Sequence, residues 1–82
     1  MMQGEERIRR LRWLCRRGMR ELDILLDSFV RHYDSRLQEG DFPAFERFLN
    51  EEDDHLWTWL QGNDGPDNPE YQALIRIIRR AK

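Results

Sequence analysis

The sequence predicts an all-α fold, a small compact antiparallel five-helix bundle, on three observations. Val and Thr occur once each among the 82 residues, with five Gly and three Pro, which disfavours strands. Apolar side chains recur at helical spacing in successive segments. The chain is 37% charged, 39% apolar and 11% aromatic, too aromatic for disorder and polar enough to clothe helices whose other face is buried. A chain this short makes one domain, residues 1–82. It buries roughly 60–65% of its extended surface, which predicts a stability of roughly 4–12 kcal/mol. It has no room for a deep cleft walled on all sides, so any catalysis would sit on the surface or at a partner interface.

Residues 1–4 precede the first helical signal and are expected to be disordered. The first helix covers about 5–16, where Ile8, Leu11, Leu14 and Cys15 form one stripe and Arg7, Arg9, Arg10, Arg12 and Arg16 fill the other faces. Gly18 interrupts the pattern, either as the helix C-cap or as a permissive turn. From Met19 to about Asp34, Leu22, Leu25, Leu26, Phe29, Val30 and Tyr33 follow the i, i+3, i+4, i+7, i+8, i+11 pattern. This second helix would run roughly 25 Å and form the spine of the domain. Residues 37–40 are expected to loosen into a loop.

Asp41 is expected to cap a third helix with Pro43 in its first turn and Phe42 stapling the entry, its apolar face being Phe45, Phe48 and Leu49. Asp53 or a neighbour starts a short fourth helix with Leu56, Trp57, Trp59 and Leu60, ending near Gly62. Trp57 and Trp59 stand two apart and cannot face the same way, so one of them, or Trp13, is expected at least partly on the surface. Residues 62–68 are rich in turn formers. Asn68-Pro69-Glu70 then reads as a cap, a proline at the first helical position and an acid facing the helix dipole. The last helix carries Tyr71, Leu74, Ile75 and Ile78, with Arg76, Arg79, Arg80 and Lys82 towards its C-terminal end.

The formal net charge of −2 conceals strong segregation. Residues 1–20 carry seven arginines against two glutamates, residues 21–70 carry fourteen acids against three arginines, and residues 71–82 add four cations. Basic ends around an acidic middle point to internal ion pairing and a charged docking face. A single cysteine, Cys15, allows no internal disulfide and suits a reducing compartment. No apolar run is long enough to span a bilayer, and Glu5 and Glu6 do not fit a signal or mitochondrial presequence. The expectation is a cytoplasmic protein.

Several chemistries lack their residues. Cys15, His32 and His55 have no metal-site spacing, and Asp64-Gly65-Pro66-Asp67 lacks the spacing of a calcium loop. Ser28 and Ser35 stand in no nucleophile motif, and there is no Gly-rich phosphate loop. The first two helices could pass for a helix-turn-helix, but Glu21, Asp23 and Asp27 on the would-be recognition helix repel phosphates, and the pI near 5.6 is acidic.

A densely charged junction, Arg16-Arg17-Gly18-Met19-Arg20-Glu21-Leu22-Asp23, joins the first two amphipathic segments. Arg17 and Glu21 could simply pair at i, i+4, worth a few tenths of a kcal/mol, with Gly18 as a cap. The same residues also make a docking tip, in which the glycine admits another chain's backbone and Arg17, Arg20 and Glu21 offer charge-assisted hydrogen bonds. The residues alone favour neither reading.

The stretch from Trp13 to Asp23 resembles the signature of the succinate dehydrogenase flavinylation (assembly) factors, whose Arg-Gly-x-x-Glu motif is matched by Arg17, Gly18 and Glu21. The likeness continues through Phe45-Glu46-Arg47-Phe48-Leu49 and Asp53-Asp54-His55-Leu56-Trp57-Thr58-Trp59-Leu60, and covers most of residues 7–80. The Gly40–Pro43 stretch departs from the acidic helix start the resemblance implies. What the resemblance implies is a five-helix accessory protein that is not itself an enzyme; the lack of a mitochondrial presequence favours the bacterial type, and a monomer is expected. It would bind the flavoprotein subunit of succinate dehydrogenase, and of the related fumarate reductase, and promote covalent attachment of FAD to a histidine there. FAD would be the partner's cofactor, with none held stably by the factor. The implied partner-binding residues are Arg10, Arg17, Gly18, Met19, Arg20, Glu21 and Asp23. Glu21 would engage a partner backbone or cation, and Arg10, Arg17 and Arg20 would meet acidic or flavin-phosphate groups. An antitoxin role or a nucleic-acid-binding regulator stands as the alternative.

Overall fold

The computed structural model describes residues 2–62 and 65–81, so part of the turn-rich 62–68 stretch, including Asp64, lies outside the described residues. Six helices form: α1 (Met2–Leu14), α2 (Arg20–His32), α3 (Asp34–Gln38), α4 (Phe45–Leu49), α5 (Asp53–Leu60) and α6 (Pro69–Arg80). The all-α expectation matches, and no strand occurs among the described residues. The stripes land where the periodicity puts them. Leu11, Leu22, Leu26, Phe29, Val30, Phe45, Phe48, Leu49, Leu56 and Ile78 are buried in one core, closed by Tyr71, Leu74 and Ile75. α1 packs on α2, α3 and α4, while α6 packs on α2, α4 and α5.

The additional helix, α3, corrects the expected loop at 37–40 in part, since Leu37 and Gln38 are helical and Glu39 and Gly40 form a turn. α2 stops at His32 because Tyr33 leaves the helical region (φ −115°, ψ 24°). Its amide still bonds the Phe29 carbonyl, and α3 begins at once, the Leu37 amide returning to the Tyr33 carbonyl at 2.8 Å. Leu37 continues the α2 stripe four residues beyond Tyr33, and the bend directs it into the core, fully buried.

Asp41 does not cap the next helix. α4 starts only at Phe45, with Ala44 before it and no side-chain cap, because Phe42 takes a left-handed φ of 58° and keeps the chain out of a helical path. Asp41 pairs instead with Arg36 at 2.9 Å. Phe42 packs edge-on against Phe29 and Tyr33, with the Arg36 guanidinium over its ring. The Asn68 cap forms as the sequence predicts, its side chain accepting from the amides of Glu70 (2.8 Å) and Tyr71 (3.2 Å), with Pro69 opening α6.

The two tryptophans of α5 face different neighbours and both are half-buried. Trp59 stacks on His55 and approaches Phe48 and Tyr71, while Trp57 lies beside Leu25 of α2. The exposed tryptophan is Trp13, with 71% of its surface accessible.

Candidate partner-docking site

α1 ends at Leu14 and α2 begins at Arg20, leaving residues 15–19 as the connection. Gly18 stands four residues beyond the end of α1, so it serves as a turn residue and not as that helix's cap. Its φ of +86° lies in the left-handed region, open to glycine and costly for other residues. A Cβ placed there would touch nothing within 4 Å. The backbone at Gly18 therefore lies open to solvent, and the glycine answers a conformational need.

Two side chains fix this turn. The Asp23 carboxylate reaches back from the first turn of α2 to accept from the amides of Arg17 (2.8 Å) and Gly18 (3.3 Å). Arg17 turns inward, with 15% of its side chain exposed. Its guanidinium pairs with Asp53 at 2.6 Å and donates to the carbonyl oxygens of Leu14 (3.0 Å), Leu49 (2.6 Å) and Glu51 (2.7 Å). Leu14 and Leu49 end α1 and α4, so their carbonyls lack helical donors. Asp53 opens α5. One cation thus ties together the ends of three helices, and of the two readings left open the simple Arg17–Glu21 pair does not form.

The seven residues singled out in the sequence therefore divide. Arg17 and Asp23 hold the turn from within. Met19 is half-buried against the core. Gly18, Arg20 and Glu21 are exposed, and neither Arg20 nor Glu21 forms an ion pair with a described residue. Arg10 lies elsewhere on α1, exposed and paired with Glu46 of α4 at 3.3 Å. Arg20 and Glu21 occupy the first turn of α2 beside Trp57, with which Met19, Arg20, Glu21 and Leu22 line a groove of about 330 Å³. The adjoining groove, about 340 Å³, is walled by Glu21, Ile24, Leu25, Ser28 and Trp57, and Ile24 is 54% exposed.

Ile24 thus belongs to the surface around this turn, a place the sequence reading does not give it, and Trp57, one of the three tryptophans considered for the surface, joins it half-buried. The available signal was Ile24 falling outside the α2 stripe, an apolar residue on the polar face. Arg7 was also missed. It is largely shielded, donating to the carbonyl oxygens of Leu37, Asp41 (2.9 Å) and Phe42 (3.0 Å) and pairing with Glu46 at 3.6 Å. Its spacing from Leu11 and Leu14, i+4 and i+7, places it on the buried face.

Cys15 is a core residue, 3% exposed. Burial pushes its thiol up to about 12, with the Asp27 and Asp23 carboxylates adding to the rise and Arg17 opposing it. A thiol so far from its thiolate form is a poor nucleophile or metal ligand at neutral pH. Among the described residues no three His, Cys, Asp or Glu side chains gather as a metal site, and no helix is long and apolar enough to cross a membrane.

The turn and its flanking helices lie inside a family match. Residues 9–82 match the family model described as flavinator of succinate dehydrogenase. The FAD assembly factor SdhE of Xylella fastidiosa (strain 9a5c) is 44% identical over 72 residues, covering 88% of this chain and 74% of that protein. The protein of the same name from Legionella pneumophila (strain Paris) is 41% identical over 70 residues, covering 85% and 87%. That from Pectobacterium atrosepticum is 40% identical over 70 residues, covering 85% and 80%. No solved structure gives a significant match.

Proposed function

The chain belongs to the succinate dehydrogenase flavinator family, and from that premise we propose that the α1–α2 turn is the tip with which it docks on the flavoprotein subunit. It binds this subunit of succinate dehydrogenase, and the homologous subunit of fumarate reductase, as a monomer in the cytoplasm, and promotes covalent attachment of FAD to a histidine of that subunit. The carrying observation is the division of labour within the motif. Arg17 and Asp23 spend their charges on fixing the turn, which leaves Gly18, Arg20 and Glu21 displayed in a rigid frame. An ordered tip loses little conformational freedom on binding, which favours affinity.

The chemistry follows from what the tip offers. Glu21 accepts hydrogen bonds from a partner backbone or pairs with a cation, and Arg20 donates to a carboxylate or phosphate. The open backbone at Gly18 lets a partner chain approach without meeting a side chain. The factor contributes position: it holds the subunit in a linkage-competent geometry, and the bond between flavin and histidine forms within the partner. FAD is thus cargo of the partner, and the factor supplies neither acid nor base to the reaction.

The test is co-expression with a succinate dehydrogenase flavoprotein subunit in cells lacking their own factor, followed by flavin fluorescence of the subunit in a denaturing gel. The wild-type chain is expected to raise covalent flavin. Glu21→Ala and Gly18→Arg, each checked for helicity by circular dichroism, are expected to reduce it at least tenfold. Undiminished fluorescence with both folded variants would remove the tip from the mechanism, and no effect of the wild type would remove the flavinylation reading.

A further inference from the structure

Four of the seven arginines of residues 1–20 pair with acids of other elements, and none of the three on α6 pairs with a described residue. On the N-terminal side Arg7, Arg10, Arg12 and Arg17 all pair with acids of residues 34–53. On α6, Arg76, Arg79 and Arg80 are exposed and make no ion pair with a described residue. They stand at i, i+3 and i+4 and so form one ridge along the helix. Favourable interaction with the helix dipole accounts for cations in the last turn, Arg79 and Arg80. It does not account for Arg76 a turn earlier, nor for what the ridge borders.

The ridge walls an open groove of about 790 Å³ whose other lining is Leu25, Trp57, Leu60 and Gln61. Arg79 lies across the end of α5, its guanidinium atoms 3.0–3.2 Å from where a Cβ on Gly62 would stand. Trp57 is shared. It lines this groove, the Glu21–Ile24 groove and the Met19–Arg20 groove. An apolar floor thus runs from the motif tip, past the exposed Ile24 and the half-buried Leu25 and Trp57, to three guanidinium groups.

We propose that the docking surface extends along this floor from the Gly18–Glu21 tip to the α6 ridge, and that the ridge receives an acidic segment of the flavoprotein partner. One apolar side chain of that segment rests on Trp57 and Leu25, and flanking carboxylates take the forks of Arg76, Arg79 and Arg80. The extension rests on the docking reading above. Charge complementarity selects the occupant, because guanidinium groups match carboxylates two bonds at a time. The apolar floor beside the ridge suits a protein side chain better than a bare anion, and Trp and Arg are the side chains that concentrate binding energy at interfaces.

The experiment measures the dissociation constant between purified flavoprotein subunit and four chains: wild type, Glu21→Ala, Arg76→Glu/Arg79→Glu, and the milder Arg76→Gln/Arg79→Gln. Each is first shown to melt cooperatively, and binding is followed at 0.05 M and 1 M NaCl. The charge reversal is expected to weaken binding at least tenfold at low salt and the Gln pair by less, with both gaps narrowing at high salt as the charges are screened. A poly-glutamate peptide is expected to compete with the subunit, whereas inorganic pyrophosphate at equal charge competes poorly. If both ridge variants bind like wild type while Glu21→Ala is weakened, the ridge is no part of the interface and the tip remains. If pyrophosphate competes as well as the peptide, the ridge is a phosphate site and the acidic-segment proposal is overturned. If the wild-type chain does not bind the subunit at all, the docking reading falls and the extension with it.

Discussion

Arg17 sits where the carbonyl ends of α1 and α4 and the first residue of α5 converge, and its planar fork meets all of them at once. A lysine could not, because its ammonium is a single point on a flexible stem. Glu21, four residues on, has none of this and is exposed. Truncating the two should therefore act through different quantities. Arg17→Ala leaves three carbonyls and a carboxylate without their donor, a loss of about 2–4 kcal/mol. For a domain of this size that lowers the melting temperature by roughly 10–25 °C. Arg17→Lys is expected to recover part of the loss, and Glu21→Ala to leave the melting temperature within about 2 °C, since exposed substitutions away from such contacts cost little. Scanning calorimetry of the three variants reads this directly. If Arg17→Ala melts like wild type, the three-helix tie contributes nothing and Arg17 returns to the tip as a binding residue.

At the scale of elements, the α1–α2 turn depends on one backbone torsion and one returning carboxylate. Gly18→Ala adds a methyl group that meets nothing, so its whole effect is the left-handed torsion, about 1–2 kcal/mol. Urea melts should show this loss with an unchanged m-value, and flavinylation should persist at temperatures where the variant is folded, in contrast to Gly18→Arg. The helices themselves were legible because each obeys local rules: the α2 stripe, the Asn68-Pro69-Glu70 start and the Phe45–Leu49 face all come from spacing and capping within a few residues. What was not legible depended on distant partners. The break at Tyr33 and the helix after it are set by where Leu37 can enter the core. Asp41 lost its capping role to Arg36 and to the unusual torsion at Phe42. The inward course of Arg17 could not be read, since its acceptors Leu49 of α4 and Asp53 of α5 lie more than 30 residues away. The motif residues Arg17, Gly18 and Glu21 meet at one turn, but only the fold separates the residues that build it from those it displays.

Across the whole molecule, the segregated charge works as an internal clamp. The basic α1 region meets the acidic 34–53 region through two largely shielded arginines, Arg7 and Arg17, and two exposed ones, Arg10 and Arg12. These pairs should respond differently to salt. Exposed pairs are worth about 0.2–1 kcal/mol and are screened once the Debye length falls to about 3 Å near 1 M salt, whereas the carbonyl acceptors of Arg7 and Arg17 hold them by short-range hydrogen bonds. Raising NaCl from 0.05 to 1 M should therefore lower wild-type stability by about 1 kcal/mol, measured by urea titration. Arg10→Ala/Arg12→Ala should start lower by a similar amount and show a flatter salt dependence, because two of the screened pairs are gone while Arg31–Asp27, Arg36–Asp41 and Arg47–Glu70 remain. An unchanged slope in the double variant would mean that the salt response comes from elsewhere, either the remaining exposed pairs Arg31–Asp27, Arg36–Asp41 and Arg47–Glu70 or the summed fields of the basic and acidic regions. A flattened slope assigns it to Glu46 and Asp34, and leaves Arg7 and Arg17 as the contacts that keep α1, and the tip that follows it, in place at any ionic strength.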